Sequence, residues 1–291
     1  MKSGYVAVIG RANAGKSTLV NRLVGEKVAI VSPKPQTTRD RITGVLTTED
    51  YQIAFVDTPG LYKADNMLNS VMQRAVEDAV SDVDAILFVL DAHDGVSEKD
   101  KSILKKYIDL NMPIVVALTK IDIMPESLLI SELNDLANEK VDIVPVSARK
   151  NRNIKELVKV ILSKLPDGEK LFDFDIISDR SEKFMIGEII REKILCDFEK
   201  EIPHGVAVII NQFDNKGKTA VISADIICEK PNHKAILIGK GGSAIKKVSE
   251  SARIEMEKFL DKKVFLTTYV KVKEDWRNSA FLLKEHGYGE R

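Results

Sequence analysis

The residues GRANAGKS at positions 10–17 match the pattern G-x-x-x-x-G-K-[ST] and lie between a short apolar run and a helical pattern. Glycines let backbone N–H groups turn toward phosphate oxygens, and the positive end of the following helix dipole adds to the attraction. Lys16 would reach the β- and γ-phosphates, and the hydroxyl of Ser17 would ligate Mg²⁺. This spacing predicts a nucleoside triphosphate site, but it does not identify the base.

The tetrapeptide DTPG (57–60) offers a second ligand for Mg²⁺. A D-x-x-G pattern is a weak signal by itself, because about one match is expected by chance. A second match, Asp214–Gly217, we interpret as a hairpin turn. Asp57 differs because it ends a predicted buried strand on the side of the sheet where ligands bind. We expect its carboxylate to reach Mg²⁺ through water and the N–H of Gly60 to face the γ-phosphate.

The motif TKID (119–122) indicates which base is bound. Asp122 could accept hydrogen bonds from N1–H and N2–H₂ of guanine, which adenine lacks, and each charged hydrogen bond is worth about 1.5–3 kcal/mol. Lys120 would lie over the base and ribose, and a backbone N–H in SAR (147–149) could donate to guanine O6. Each motif follows a predicted strand in the order found in translation-factor-like GTPases, so we predict GTP, with an ATP-using P-loop enzyme as the alternative.

The predicted nucleotide contacts are the residues of these motifs and two direct neighbours: Gly10, Arg11, Ala12, Asn13, Ala14, Gly15, Lys16, Ser17, Thr18, Asp57, Thr58, Pro59, Gly60, Leu61, Thr119, Lys120, Ile121, Asp122, Ser147, Ala148 and Arg149.

The polar segment SPKPQTTRDR (32–41) is typical of a switch loop, in which Thr37 or Thr38 would join the Mg²⁺ shell only when a γ-phosphate is present. Leu61 stands where Ras-type enzymes have a glutamine that orients water, so hydrolysis requires another group. Asn13 could hold a monovalent cation such as K⁺ beside the phosphates, where its charge would stabilise the transition state. The alternative is that Asn13 only shapes the loop.

The first half of the chain alternates apolar runs with helical patterns, which predicts an α/β fold with a mostly parallel, doubly wound sheet. The polar turn within 45–53 breaks the alternation and predicts one antiparallel hairpin at the sheet edge. Helices are expected over five segments, namely 16–24, 67–80, 98–110, 126–138 and 153–164.

The pattern changes after Leu165, where Pro166 and Gly168 end the last helix. We therefore predict a nucleotide-binding domain over 1–165, a linker over 166–180 and a second domain over 181–291. In the second domain the element order is α-β-β-α-α-β, which cannot continue the first sheet. This is the order of the prokaryotic, type II KH fold.

The sequence Ile238-Gly239-Lys240-Gly241-Gly242 holds a G-x-x-G between two predicted helices. About one such match is expected by chance, but in KH domains this loop brings the backbone against about four nucleotides of single-stranded RNA. The predicted RNA contacts are this pentapeptide and the flanking lysines Lys234, Lys246 and Lys247. A tight helix–helix turn that serves protein contacts is the alternative.

Charge favours the RNA interpretation. The 291 residues carry 44 Lys+Arg and 44 Asp+Glu, which excludes a uniformly basic nucleic-acid coat and an acidic disordered tail. Residues 230–273, however, carry 11 Lys/Arg against four acidic residues, a balance of +7, whereas 171–229 carry seven against 12, a balance of −5. A local excess of positive charge around the glycine loop is what phosphate binding requires.

These motifs together resemble the Era GTPases of bacteria and organelles over essentially the whole chain, including ITGVLTTEDYQIAFVDTPG, LIGKGGSAIKKV and YVKVKEDW. The resemblance implies that Thr38 is the switch threonine that binds Mg²⁺, that Leu61 matches the family's hydrophobic residue, and that Asn13 is linked to a cation. It assigns the catalytic roles to Lys16, Thr38 and Gly60, and Mg²⁺ to Ser17, Thr38 and Asp57. Thr119 departs from the usual asparagine of N-K-x-D, and we expect it to brace the phosphate loop less well.

The resemblance also implies a checkpoint in assembly of the 30S ribosomal subunit. In the GTP form the protein would grip the 3′ end of small-subunit, 16S-type ribosomal RNA and be released on hydrolysis. It would be a monomer away from the ribosome and cytoplasmic, with a loose peripheral membrane association described for the family. No apolar stretch approaches the roughly 20 residues of a membrane span, and the first apolar run is too short for a signal peptide.

Two other functions fit parts of the sequence. The chain could be a GTP-regulated interaction module whose C-terminal domain is a dimerisation surface, and RNA binding that falls with salt distinguishes the two. A tRNA-modification GTPase would need a further catalytic domain with a conspicuous cysteine or cofactor motif. The two cysteines, Cys196 and Cys228, supply neither a disulfide framework nor a zinc site.

Overall fold

The computed structural model describes residues 1–61, 65–137 and 141–288. These divide into two compact units. The first contains residues 1–29, 38–61, 72–137 and 141–179, and the second contains 30–37, 65–71 and 180–288. None of the described helices is long and apolar enough to cross a bilayer.

The first unit is built on a six-stranded sheet of order β2-β3-β1-β4-β5-β6. Only the edge strand β2 runs antiparallel, paired with β3, which confirms the predicted hairpin beside an otherwise parallel sheet. The strands are β1 (Lys2–Ile9), β2 (Ile42–Thr47), β3 (Tyr51–Asp57), β4 (Ala85–Asp91), β5 (Ile114–Thr119) and β6 (Asp142–Pro145).

Helices cover both faces of this sheet, so its central strands are buried nearly throughout, as their continuous apolar runs predict. Side chains of α1 and α5 pack on one face, and those of α3 and α4 pack on the other. The helices are α1 (Lys16–Val24), α2 (Met67–Ser81), α3 (Glu98–Asp109), α4 (Glu126–Leu136) and α5 (Ile154–Lys164). The helix expected over 126–138 ends at Leu136, and position 138 lies outside the described residues.

The segment 166–179 lies against the sheet rather than running free. The N–H of Val45 donates to the carbonyl of Ile177 at 2.9 Å, and the N–H of Thr43 donates to Asp179 Oδ1 at 2.9 Å. These bonds satisfy backbone groups on the open edge of β2, which would otherwise be available for pairing with another chain.

The second unit has a three-stranded sheet in which β7 (Ala207–Asp214) and β8 (Thr219–Cys228) form a hairpin, and β8 pairs in parallel with β9 (Lys263–Val272). Its helices are α6 (Glu182–Asp197), α7 (Pro231–Ile238), α8 (Ser243–Leu260) and α9 (Ala280–Glu285). The predicted order α-β-β-α-α-β is confirmed. Helix α7 begins at Pro231, and proline is well tolerated in the first turn of a helix.

A short part of the predicted switch loop, residues 30–37, groups with this second unit. Arg191 of α6 is fully buried and donates to the carbonyls of Gln36, at 3.5 Å, and Thr37. The N–H of Val31 donates to Glu192 Oε1 at 2.8 Å. The side chain of Glu188 accepts from Arg191 Nε at 2.7 Å and balances its charge. Helix α6 therefore fixes the backbone just before Thr38.

Candidate nucleotide site and glycine loop

The phosphate loop connects β1 to α1. It begins after Ile9 at the carboxyl end of β1, and α1 begins at Lys16. Lys16 is buried, and its Nζ donates to the carbonyls of Gly10 and Arg11 at 2.9 Å each. The ammonium group is therefore enclosed by the loop that the motif assigns to phosphate.

Three side chains with oxygen ligands converge next to this lysine. Ser17 Oγ donates to Asp57 Oδ2 at 2.7 Å, and Thr38 Oγ1 lies 2.9 Å from Ser17 Oγ and 3.4 Å from Asp57 Oδ2. Asp57 is fully buried, and its Oδ1 has no hydrogen-bond partner within the described part of the chain. A buried, unsatisfied carboxylate oxygen beside two hydroxyls is a donor set that suits Mg²⁺. The residues present fit that ion.

Burial disfavours the charged forms of Asp57 and Lys16. It raises the pKa of Asp57 to about 6, against the influence of Lys16 and of hydrogen bonds from Ser17, Thr38 and the N–H of Thr58. Burial also lowers the pKa of Lys16 to about 8, and the Asp57 carboxylate opposes this shift. Both groups are held in a low-dielectric environment, which strengthens electrostatic interactions.

The DTPG turn lies directly against the phosphate loop. A Cβ added to Gly60 would meet the N and Cα of Ala12 at 2.9 Å, so glycine is the residue that allows this close approach. Thr58 Oγ1 donates to the carbonyl of Val8 in β1 at 2.7 Å and holds the turn in place. Leu61 is partly buried and packs against the core cluster that includes side chains of α3 and α4.

Thr119 braces the phosphate loop despite being shorter than asparagine. Its hydroxyl lies 2.7 Å from the carbonyl of Ala14 and 2.9 Å from that of Leu90, and both contacts are buried. The single hydroxyl proton is shared between these acceptors. The threonine therefore ties the loop to the carboxyl end of β4.

The two predicted base motifs come together at the same edge of the sheet. The Ser147 hydroxyl donates to Asp122 and, ahead of the other influences, lowers the pKa of that carboxyl. Lys120 pairs with the buried carboxylate of Asp91, which ends β4. Arg22 of α1 donates to the carbonyl of Ala148 at 2.8 Å. Asp122 is thus held as a charged acceptor, as guanine recognition requires.

The remaining members of the predicted set are placed around these groups. Ala14 and Ile121 are buried, Ala12 and Thr18 are half-buried, and Asn13 and Arg149 are exposed. Arg11 points away from the loop interior, because its Nε pairs with Asp100 Oδ1 at 2.8 Å and its Nη2 donates to the carbonyl of Gly95 at 3.0 Å. Its contribution is to anchor the loop to the start of α3.

Sequence reasoning missed Asp91, Asp100 and Arg22. Asp91 carried a usable signal, since it ends a buried strand in the same way as Asp57. Asp100 belongs to a capping box with Ser97, which is visible as S-x-x-D before a helix. Nothing local indicates that Arg22 reaches residue 148.

The glycine loop of the second unit joins α7 to α8. Gly239, Gly241 and Gly242 have φ values of +74°, +59° and +80°, a region that favours glycine. A Cβ on Gly239 would meet the N of Ala244 at 2.9 Å, whereas one on Gly241 would meet nothing within 4 Å. Gly239 therefore shapes the loop, and Gly241 faces open space.

The predicted RNA-binding lysines surround this loop to different extents. Lys240, Lys246 and Lys247 are exposed, and Lys234 is half-buried on α7. Lys247 Nζ pairs with Asp197 Oδ1 at 2.9 Å, which offsets part of its charge. Ile238 is partly buried against the core at the end of α7.

Comparison with known proteins matches both units. Residues 5–120 match the family described as 50S ribosome-binding GTPase, and residues 201–277 match the KH domain family. The chain is 45% identical over 291 residues to the GTPase Era of Clostridium kluyveri, covering 99% of each. It is 45% identical over 289 residues to the GTPase Era of Clostridium acetobutylicum, covering 99% of this chain and 98% of that protein.

Two solved structures resemble the fold over its full length. One is Aquifex aeolicus Era, in a variant bound to GDP and AlF₄⁻, with a TM-score of 0.94, 39% identity and 100% coverage of both chains. The other is Era in complex with MgGDPNP and nucleotides 1506–1542 of 16S ribosomal RNA, with a TM-score of 0.95, 40% identity and 100% coverage of both. The predicted combination of a P-loop GTPase domain and a KH domain is confirmed.

The Thr119 brace yields the first prediction. Thr119→Val keeps the volume but removes the buried hydroxyl, which costs about 1 kcal/mol and should raise the Kd for GDP about fivefold by loosening the phosphate loop. Thr119→Ser keeps the donor and should stay within about twofold of the wild type. Isothermal titration calorimetry measures both, and equal affinities in the valine and serine variants would contradict the brace.

Proposed function

The chain belongs to the Era GTPase family, and from this premise we propose that it is a GTP-hydrolysing switch in 30S ribosomal subunit assembly. In this proposal the KH domain binds 16S ribosomal RNA near its 3′ end in the GTP state, and hydrolysis releases it. The observation that carries the switch is the convergence of Ser17, Thr38 and Asp57 at the phosphate loop, because it joins the switch threonine to the groups that hold metal and phosphate.

We assign the chemistry of GTP hydrolysis to the residues of this cluster. Ser17, Thr38 and Asp57 would hold Mg²⁺, which when bound offsets the negative charge of the β- and γ-phosphates. Lys16 supplies a positive charge to the same phosphates, and the N–H of Gly60 donates to the γ-phosphate. Asp122 selects guanine through its two donors, and the backbone of 147–149 donates to guanine O6. Leu61 leaves the positioning of water to another group.

Asn13 is our candidate for a residue that supports hydrolysis by holding a monovalent cation. Its exposed side chain in the phosphate loop can offer an amide oxygen to K⁺ beside the β- and γ-phosphates. A cation there would stabilise charge that develops in the transition state, the task for which Ras-type enzymes use an arginine. The competing role of Asn13 is to shape the loop, which is supported by its φ of +62°.

The RNA-binding role rests on the glycine loop of the second unit. Gly241 faces open space, and the lysines around it are exposed in the loop and on α8 (Lys240, Lys246 and Lys247) and half-buried on α7 (Lys234). A loop without side chains allows an RNA backbone to approach closely, and the N-terminus of α8 favours phosphate. We assign RNA contacts to the loop 238–242 and to Lys234, Lys246 and Lys247.

Helix α6 provides a route between the two ligands. Arg191 and Glu192 hold the backbone of residues 31–37, and the next residue in the chain is Thr38. Any ordering of Thr38 by nucleotide therefore acts on a segment that the RNA-binding unit fixes. Coupling between two sites is reciprocal. If GTP and RNA both favour the same arrangement of residues 31–37, the binding of either one strengthens the binding of the other.

We further propose the domain limits 1–165 and 181–291 with a connecting segment over 166–180, and a cytoplasmic location, where ribosomal subunits are assembled. Loose association with membranes follows only from resemblance to the family.

RNA binding is tested at Gly241. Gly241→Asp and Gly241→Asn both tolerate a positive φ and meet open space, so both should fold normally by circular dichroism. Only aspartate adds a charge that repels phosphate, so its Kd for a 16S fragment equivalent to nucleotides 1506–1542 should exceed that of the asparagine variant roughly tenfold. Filter binding across a salt series measures this difference. A wild type that fails to bind at low salt would reject the proposed function.

The cation is tested by exchanging K⁺ for Na⁺ at constant ionic strength. Hydrolysis of GTP by the wild type should slow roughly tenfold in Na⁺, because the smaller ion fits the site less well. Asn13→Ala should hydrolyse GTP at the same low rate in both salts while it still binds GDP. Equal wild-type rates in the two salts would remove K⁺ from the mechanism.

A further inference from the structure

The edge strand β9 presents two different faces. One face, including Val264 and Val270, packs into the core of the second unit. On the other, Phe265 is 62% exposed and Tyr269 is 54% exposed, which is unusual for large aromatic side chains. We call this second face the β9 platform; it consists of Lys263, Phe265, Thr267, Tyr269 and Lys271.

The charge that the platform presents to solvent is positive. Lys263 lies 3.6 Å from Glu257, but the lysine side chain is 80% exposed and the glutamate side chain 19%. Lys271 pairs with Asp225 at 2.6 Å, and again the lysine is 54% exposed while the aspartate is only 8% exposed. In each pair the carboxylate is the more buried partner, and the lysine side chain remains accessible.

Lysines that alternate with exposed aromatic rings on a sheet surface form a suitable surface for single-stranded nucleic acid. Bases stack on aromatic faces without regard to sequence, and lysines neutralise the adjacent phosphates. Phe265 and Tyr269 lie four residues apart on one strand, which separates their rings by about 13 Å. That separation suits two bases that are not adjacent in an extended strand.

The platform belongs to the same unit as the glycine loop. Helices α7 and α8, which the loop connects, both pack against β9. These helices lie on the face of β9 that holds Val264 and Val270, so an RNA strand held at Gly241 would pass the free edge of β9 to reach the platform on the opposite face. The platform can therefore extend a binding site that starts at the loop, which by itself holds only about four nucleotides.

We propose that the β9 platform is a second RNA-binding surface, on which Phe265 and Tyr269 stack unpaired bases and Lys263 and Lys271 contact phosphates. It takes the continuation of the same RNA strand whose first part binds at the glycine loop, so the inference rests on the proposed RNA-binding function. The platform would add base stacking on the sheet surface to the RNA contacts of the glycine loop and of helices α7 and α8.

The test compares two lengths of RNA. For the 16S fragment equivalent to nucleotides 1506–1542, Phe265→Ala and Tyr269→Ala should each raise the Kd about tenfold by loss of stacking. For a fragment of about six nucleotides, which fills little more than the glycine loop, both variants should bind like the wild type. Phe281→Ala, which removes another exposed aromatic ring in α9, is the matched control and should leave both affinities unchanged.

A second measurement identifies the contact directly. In the long fragment, 5-iodouridine should form photocrosslinks to Phe265 or Tyr269 that mass spectrometry can map. The Phe265→Ala/Tyr269→Ala double variant could bind the long RNA as tightly as the wild type while Gly241→Asp still weakens binding. That result would overturn RNA binding by the platform and leave the proposed function intact. A wild-type dimer in sedimentation that this double variant dissociates would reassign the platform to self-association.

Discussion

A buried carboxylate at the end of β3 is the constraint on which the nucleotide site depends. Asp57 is removed from water, so it must be offset by a lysine, by hydroxyl donors and, through its unpartnered oxygen, by a cation. The compensating groups come from two parts of the chain: Lys16 and Ser17 from the first turn of α1, and Thr38 from the segment before β2. The sheet brings these elements together because its parallel strands all end at one edge, where the antiparallel strand β2 begins. Small displacements of Thr38 therefore change how well the charge of the Asp57 carboxylate is compensated.

The second unit meets a different physical demand. It must hold a polyanion and release it, which a uniformly basic surface would do poorly. The chain has no net charge, yet residues 230–273 carry a balance of +7 around the glycine loop and β9. Where lysines of that region pair with carboxylates, as Lys263 does with Glu257 and Lys271 does with Asp225 of the neighbouring strand, the lysine is the more exposed partner. Binding that depends on such a limited patch is strongly sensitive to salt.

The sequence was sufficient for the order of the elements, the sheet type and the four nucleotide motifs. Continuous apolar runs mark strands that are buried on both faces, and glycines at fixed spacing mark the loops, because both signals are local. Contacts between residues that are distant in the chain left no such signal. Arg191 reaching the carbonyl of Thr37, Arg22 reaching that of Ala148, and Asp179 pairing with Thr43 all depend on how the elements pack. The hydrogen bonds of Thr119 to the carbonyls of Ala14 and Leu90 likewise depend on packing and could not be read from the length of its side chain.

In the proposed switch, nucleotide binding and RNA binding are linked through residues 31–37, which α6 holds just before Thr38. The most direct measurement is the Kd for the 16S 3′ fragment with a non-hydrolysable GTP analogue bound, compared with GDP bound. The account predicts at least roughly tenfold tighter RNA binding in the analogue state, and a ratio near one in Arg191→Met, which loses the bonds to Gln36 and Thr37. Equal RNA affinity of the wild type in both nucleotide states would contradict it.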